Sequence, residues 1–529
     1  MKKNAFIALL IVLMLTFAIG SGCSRSTNQA PAGGIKNPDT FVIASDSEPT
    51  LLDPAIAFDP MSSVAIQQVC EPLVTYEGNT SNIIPVLAES WEPSDGGRVW
   101  TFKLRSGVKF SDGTPFNAEA VKINLERILN INQGGAWIID MIESIAVVDD
   151  LTVRITLEYP YVPFLQALAA GVPALFISPK AIADHEVNGD LAAAWLRDHM
   201  VGTGPYILES WVIGQGWSMS RNENYWGGWN GKHVSKIDHR VVKESSSRML
   251  MLENGDADFG DNITRDTLQT LINNPDITVV QEPSANILQI LFNNQRGALR
   301  DKKVRQAMAY AFSYDDCVNG IYSGMASKMV GPMSDRIWGY DPTIIPYETN
   351  IEKAKQLLAE AGYANGGGLR FNCQVETGAD DYAKTVELFQ SDMAKIGIQI
   401  NIQQLAWATM RDMLDAPETA ADIFISGYYP DYLDPDNALY VQYHSEEIGN
   451  INQSFYINPE MDRLLERARR MTVESERTVL YHQIQQIVNE DSPVIFVLVK
   501  DSVESYRSWV KGFVLNPILP RKYYSMYKE

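Results

Sequence analysis

The chain has 529 residues, too many for one ordinary hydrophobic core, so two or three domains are expected. It is 45% hydrophobic and 21% charged, the balance of a globular protein and not of a disordered one. Its formal net charge of −21 argues against a nucleic-acid partner, which needs clustered Lys and Arg, and leaves neutral or cationic ligands open.

The first residues read as a targeting segment. Lys2 and Lys3 precede an apolar run from Ala5 to Ile19, too short to span a bilayer and of the form of a signal-peptide core. Gly20, Ser21, Gly22 and Cys23 follow, a pattern that resembles a bacterial-type lipoprotein signal in which Cys23 is lipidated and becomes the mature N-terminus. Gly20 departs from the Leu usual there. Cleavage would remove two lysines and no acid, leaving a charge of −23. Cys70, Cys317 and Cys373 then remain, an odd set without a CxxC pair, so neither a disulfide framework nor a zinc site is expected. Residues 24–38 are small and polar, a flexible tether.

Phe41 to Ala44 looks like a buried first strand, running into a loop with Asp46, Glu48 and Asp53. Trp100, Phe102 and Leu104 alternate with polar residues as in a half-buried strand. Asn117 is a candidate N-cap for a helix whose apolar face is Val121, Leu125, Ile128 and Leu129. Asp149 and Asp150 separate two short apolar runs, a hairpin signal. Later, Val304, Ala307, Met308 and Ala311 share a helical face. So do Ala354, Leu357, Leu358 and Ala361, with Gly362 as the stop. Leu480, Ile484, Ile487 and Val488 form a third such face.

The most suggestive stretch runs from Asp422 to Tyr440. A short apolar run, Ile423 to Ile425, breaks at Gly427 into Tyr428, Tyr429 and Tyr432, with Asp431, Asp434, Asp436 and Asn437 among two prolines. Strand carboxyl ends open onto binding crevices in α/β folds, and an acid walled by aromatics suits an amine. Read alone, the same residues are also common turn formers. Enzyme motifs fail: there is no GxSxG, HExxH, Walker A or GxGxxG. Ser106 to Lys109 fits S-x-x-K, but between two short strands and without its companion elements.

The run AESWEPSDGGRVWTFKLRSGVKFSDGTPFNAEAVKINLERI, Ala88 to Ile128, resembles the signature of the peptide-type substrate-binding proteins of ATP-driven (ABC) importers, solute-binding family 5, the dipeptide, oligopeptide and nickel-binding group. Matching stretches follow in the family's order: Gly202 to Tyr206, Arg221 to Gly228, Leu299 to Phe312, Asn350 to Tyr363, the tyrosine-rich stretch, and Asn458 to Arg470. The resemblance runs from about Thr40 to Lys511. It implies an α/β, bilobed periplasmic-binding-protein fold (type II, Venus-flytrap) with an extra subdomain inserted in the first lobe. The expected layout is lobe I over 39–80, its inserted subdomain over 81–197, and lobe I again over 198–285. Lobe II follows over 286–500, and 501–529 return to lobe I. The hinge crossings are expected at Ile287 to Phe292 and Val494 to Val499.

The resemblance also implies a function: an extracytoplasmic receptor that catches a peptide, without catalysis, cofactor or metal, and hands it to a membrane permease. A monomer, lipid-anchored at the cell membrane, is expected. In dipeptide-binding relatives an Asp before an Asp-Pro-Asp-Asn-type turn pairs with the ligand's amino group, which places that role on Asp431, with Asp434 and Asp436 as turn acids. The basic residue that holds the ligand's carboxylate in those relatives falls here on Glu376, which would repel it. Trp407, Tyr428, Tyr429 and Tyr432 are candidate walls, and Glu48 a candidate from the first lobe. The alternatives are a nickel chelate or an oligosaccharide on the same fold, the latter suggested by Trp211, Trp217, Trp226 and Trp229. A secreted hydrolase and a peptide-signal receptor stand further off.

Overall fold

The computed structural model describes residues 34–171 and 174–529. Cys23 and the segment before it lie outside them. Among the described residues no helix is long and apolar enough to cross a membrane.

The local patterns become elements as their periodicity dictates. Thr40–Ser45 is a strand with Phe41, Ile43 and Ala44 fully buried, because it runs in the middle of a sheet with helices on its faces. The Asn117 side chain accepts from the Ala120 N–H and starts the helix Ala118–Ile131, which buries Val121, Leu125 and Ile128. Val99–Leu104 alternates as expected, and burying a side chain such as Phe102 stabilises the fold by about 1.5–3 kcal/mol. Ile142–Asp149 and Thr152–Leu157 form the hairpin around Asp150. The helix Ile351–Glu360 ends before Gly362, whose φ of 86° is open to glycine at no steric cost.

Two sheets carry the architecture. A four-stranded antiparallel sheet, in the order Ala88–Ser94, Val99–Leu104, Thr152–Leu157 and Ile142–Asp149, belongs to the inserted subdomain. The other sheet has 11 strands and runs through both lobes. One end holds Gln399–Leu405, Arg370–Glu376 and Ile423–Tyr428; the other holds Thr40–Ser45 with Lys236–Val241, Gly216–Arg221 and Tyr206–Val212. Two long antiparallel strands, Ile277–Phe292 and Val494–Arg507, join the two ends. Their register shifts between Pro283, opposite Asp501, and Ile287, opposite Val499. A bulge bends a strand pair and strengthens its twist. Here it falls between the half that pairs with Ile423–Tyr428 and the half that leads towards Phe259–Gly260.

The cores follow this division. One cluster fills the first lobe around Phe41, Trp217 and Tyr523, and another fills the second around Leu288, Phe312 and Phe389. A third is continuous from Phe102 and Leu125 of the inserted subdomain to Leu439, Leu464 and Tyr481 of the second lobe. The inserted subdomain thus meets the second lobe through packed apolar side chains.

Candidate functional site

Three neighbouring strands bring the site together. Arg370–Glu376 runs parallel to both Ile423–Tyr428 and Gln399–Leu405, so all three carboxyl ends reach the same edge. Glu376 lies opposite Leu405, and Trp407 opens the next helix two residues on. At the end of Ile423–Tyr428, Tyr428 pairs with Ile287 beside the bulge of the strands joining the lobes. Parallel pairing makes this juxtaposition, and it is the usual place for a ligand in an open α/β sheet.

Two cavities lie along that edge. The larger, about 650 Å³, takes lining from both lobes: Phe58, Asp59 and Pro60 from the first, Tyr429, Pro430 and Asp431 from the second. Asn286, at the bulge, and Pro520, in the C-terminal return, complete it. The smaller, about 240 Å³, holds Glu376, Trp407, Tyr382, Ser426 and Gly427. Neither is lined by a Lys, Arg or His. A third cavity of about 260 Å³ shares Leu519 and Pro520 with the larger one and adds Lys522, whose Nζ donates to Thr75 Oγ1 at 3.1 Å.

Asp431 is held by one residue, Asn437. The Asn437 Oδ1 accepts from the Asp431 N–H at 2.8 Å and from the Tyr428 hydroxyl at 2.8 Å, while its Nδ2 donates to Asp431 Oδ2 at 3.4 Å. No cation pairs with Asp431 among the described residues, and burial pushes its carboxyl up from 3.8 to about 6, against the lowering pull of Asn437. Asp59, the other acid of the cavity, is already satisfied by Thr50, the Ser62 hydroxyl and the Ser62 N–H. The larger cavity therefore contains one partly buried carboxylate whose charge lacks a partner, an arrangement that a ligand cation completes.

The remaining candidates separate. Tyr429 lines the larger cavity, 46% exposed, with its hydroxyl bonded to the Pro517 carbonyl at 2.7 Å. Glu376 and Trp407 line the smaller one. Tyr428 lines neither, because its hydroxyl is turned to the Asn437 carbonyl and side chain. Tyr432 also lies away from the cavities, 3% exposed, with its hydroxyl 2.6 Å from that of Tyr161 in the inserted subdomain. Glu48 accepts from the Gly214 N–H and the Trp211 indole and so caps the turn of a first-lobe hairpin; it does not reach the cavities. Trp217 and Trp226 are taken up elsewhere, the first in the core of the first lobe, the second donating to the buried Glu71.

Asp434 and Asp436 are more than turn acids. Asp434 caps the helix Pro435–Tyr443 and forms a buried two-pronged pair with Arg477. Asp436 pairs with Arg469 and accepts from Tyr161 at 2.8 Å. Their arginines lie 43 and 33 residues downstream, which is why no local pattern reveals them. Asn286 and Tyr382 were likewise hidden, since single polar residues carry no periodic signal, and Asn437 read only as a turn residue.

Among the described residues one group, His444, Glu446 and Glu466, is spaced for a metal ion. His444 Nδ1, however, accepts from the Glu446 N–H at 3.1 Å, which places the proton of the neutral ring on Nε2, the nitrogen facing Glu466. Glu466 is further occupied by Tyr440 and Arg470. The donor set fits a hydrogen-bonded cluster better than a metal cradle.

Two lobes on a shared sheet, with a charged cavity between them, define a ligand-binding protein of the two-lobed clamp class. Residues 82–450 match the family of bacterial extracellular solute-binding proteins, family 5. The chain is 33% identical over 499 residues to a probable D,D-dipeptide-binding periplasmic protein of Escherichia coli, covering 93% of this chain and 95% of that one. It is 32% identical to a heme-binding protein A of Haemophilus influenzae, over 98% of this chain and 97% of that one. Among solved structures it is similar to an ABC transporter-associated periplasmic binding protein of Helicobacter pylori in complex with the peptide STSA. That likeness has a TM-score of 0.78 and 29% identity, and covers 93% of this chain and 98% of the other. The chain belongs to the bacterial extracellular solute-binding proteins of family 5, a family of binding proteins and not of enzymes.

Proposed function

We propose that this protein is the extracytoplasmic receptor of an ABC importer and captures a peptide, most readily an oligopeptide, by its free amino group at Asp431. One observation carries the reading: a partly buried carboxylate without a cation, in a cavity lined by both lobes. The relative named as a probable D,D-dipeptide-binding protein and the solved relative in complex with the peptide STSA support the ligand class. A ligand touching both lobes favours the closed arrangement over the open one by its differential contacts, and the closed form is what a permease would receive. Peptide backbone is suited to the exposed ends of the sheet, where main-chain groups can hydrogen-bond as an added strand does.

The receptor is held to the outer face of the membrane by lipid at Cys23, reached through the tether over 24–38. One copy suffices, since both walls of the cavity come from one chain. Ligand released from the purified protein and identified by mass spectrometry tests the reading. A peptide with a free amine is expected; recovery only of an oligosaccharide, a nickel chelate or haem would overturn it. Peptide cleaved on long incubation would instead point to a hydrolase.

A further inference from the structure

Building on the peptide reading above, we propose that the smaller cavity, with Glu376 and Trp407, is a subsite for a second positive charge, so that the protein selects peptides with a basic side chain in addition to their amino terminus. The Glu376 carboxylate ends its strand half-buried, and no hydrogen bond or ion pair occupies it among the described residues. Beside it the Trp407 indole is 41% exposed, a free aromatic face next to a free anion. An ammonium or guanidinium satisfies both, by charge and by attraction to the ring.

Gly427 gives the subsite its depth. A Cβ there would come within 2.6 Å of the Tyr382 hydroxyl, so a larger residue would have to push that ring aside. Lys500 does not supply the missing charge: its Nζ donates to the Tyr382 hydroxyl at 2.9 Å and lies over that ring, outside the cavity lining. Lys522 belongs to a cavity beyond the larger one.

The spacing suits one ligand. Gly427 lines the smaller cavity and Asp431 the larger, and four residues of chain span at most roughly 14 Å. Asn286 lies between them, lining the larger cavity and standing 3.7 Å from where a Gly427 Cβ would be. An extended peptide advances about 3.3 Å per residue, so an amino terminus at Asp431 can place a side chain one to three residues later at Glu376.

The test is competition binding to the full-length protein in detergent, with C-terminally amidated Ala-Xaa-Ala, Ala-Ala-Xaa and Ala-Ala-Ala-Xaa. Xaa is Lys, Nε-acetyl-lysine or Glu, and occupancy is read by native mass spectrometry. Lys is expected to win over acetyl-lysine by about tenfold or more at one position, as a charge-assisted contact should. Glu376→Gln is expected to bring that ratio within about twofold while the acetyl-lysine peptide still binds, which an unfolded variant could not do. Equal binding of Lys and acetyl-lysine peptides, a preference for Glu, or a Lys preference that survives Glu376→Gln overturns the subsite and leaves the peptide reading intact. Folded protein that binds none of these peptides overturns both.

Discussion

The Tyr429 hydroxyl donates to the Pro517 carbonyl at 2.7 Å, tying the loop that holds Asp431 to the C-terminal return beyond the strand Val494–Arg507. Arg265 and Asp381 make an ion pair across the same divide, with Arg265 at the start of a first-lobe helix and Asp381 at the start of a second-lobe one. Both contacts join the two lobes directly. Tyr429→Phe removes one of them without touching Asp431, so it should shift the free protein towards the open form and weaken ligand binding about 2- to 10-fold, the worth of one hydrogen bond. Small-angle scattering of the free protein and calorimetry of ligand binding check this; an unchanged affinity and radius would assign the bond no part in closure.

Asp431 predicts opposite effects on binding and on stability. Its folded-state value of about 6 lies above the ordinary 3.8, so between those pH values the folded protein holds a proton that the unfolded chain has released. Stability contributed by this group is therefore greatest below pH 4 and is lost as pH rises through 6. Asp431→Asn should then stabilise the free protein at pH 7, by at most about 3 kcal/mol, and lower its affinity for amine-bearing peptides by about 1.5–3 kcal/mol. Thermal unfolding without ligand and calorimetry with ligand read the two signs. Unchanged affinity would remove Asp431 from the site.

The same titration sets the pH dependence of binding. An amine prefers the ionised carboxylate, so affinity should rise up to about tenfold per pH unit between pH 4 and 6 and then level off. Asp431→Asn should flatten the profile. A wild-type profile already flat from pH 4 to 7 would contradict the assignment.

Arg477 and Asp434 form a pair 3% and 2% exposed by side chain, closed further by Tyr481 and by the Ala468 carbonyl. Removing one partner leaves a buried charge uncompensated. Arg477→Ala should cost about 3–5 kcal/mol of stability, measured by denaturant unfolding, whereas the exposed pair Arg463–Glu460 should be worth less than about 1 kcal/mol. Similar costs for the two pairs would show that burial does not set their strength.

Cys23→Ser should release the protein from the membrane fraction into the soluble one, because a single apolar anchor is then lost. Cell fractionation and mass measurement of the mature N-terminus read the outcome, and a wild-type protein whose Cys23 carries no lipid would exclude the anchor.

What could be read along the chain was whatever depends on near neighbours. The Asn117 cap, the alternation of Val99–Leu104, the apolar helix faces and the stop at Gly362 follow from spacings of two, three and four residues, and they stand as read. The chain reversal at Asp434 was legible only in part: what reads as a turn from Asp434 to Asn437 is the cap and first turn of the helix Pro435–Tyr443, because the Asp434 side chain accepts from the Asp436 N–H.

The tertiary structure decided what those residues do. Asp434 and Asp436 carry the same turn chemistry as Asp431, yet folding brings Arg477 to the first and Arg469 to the second, while Asn437 alone is left for Asp431. Tyr428, Tyr429 and Tyr432 are alike in sequence, but one turns to Asn437, one to the opposite lobe and one into a buried contact with Tyr161. Glu376 and Trp407 share a cavity only because two parallel strands end level with each other. Local propensity acts over a few residues; the partner that satisfies, or fails to satisfy, a charge comes from distant chain, and only packing brings it into reach.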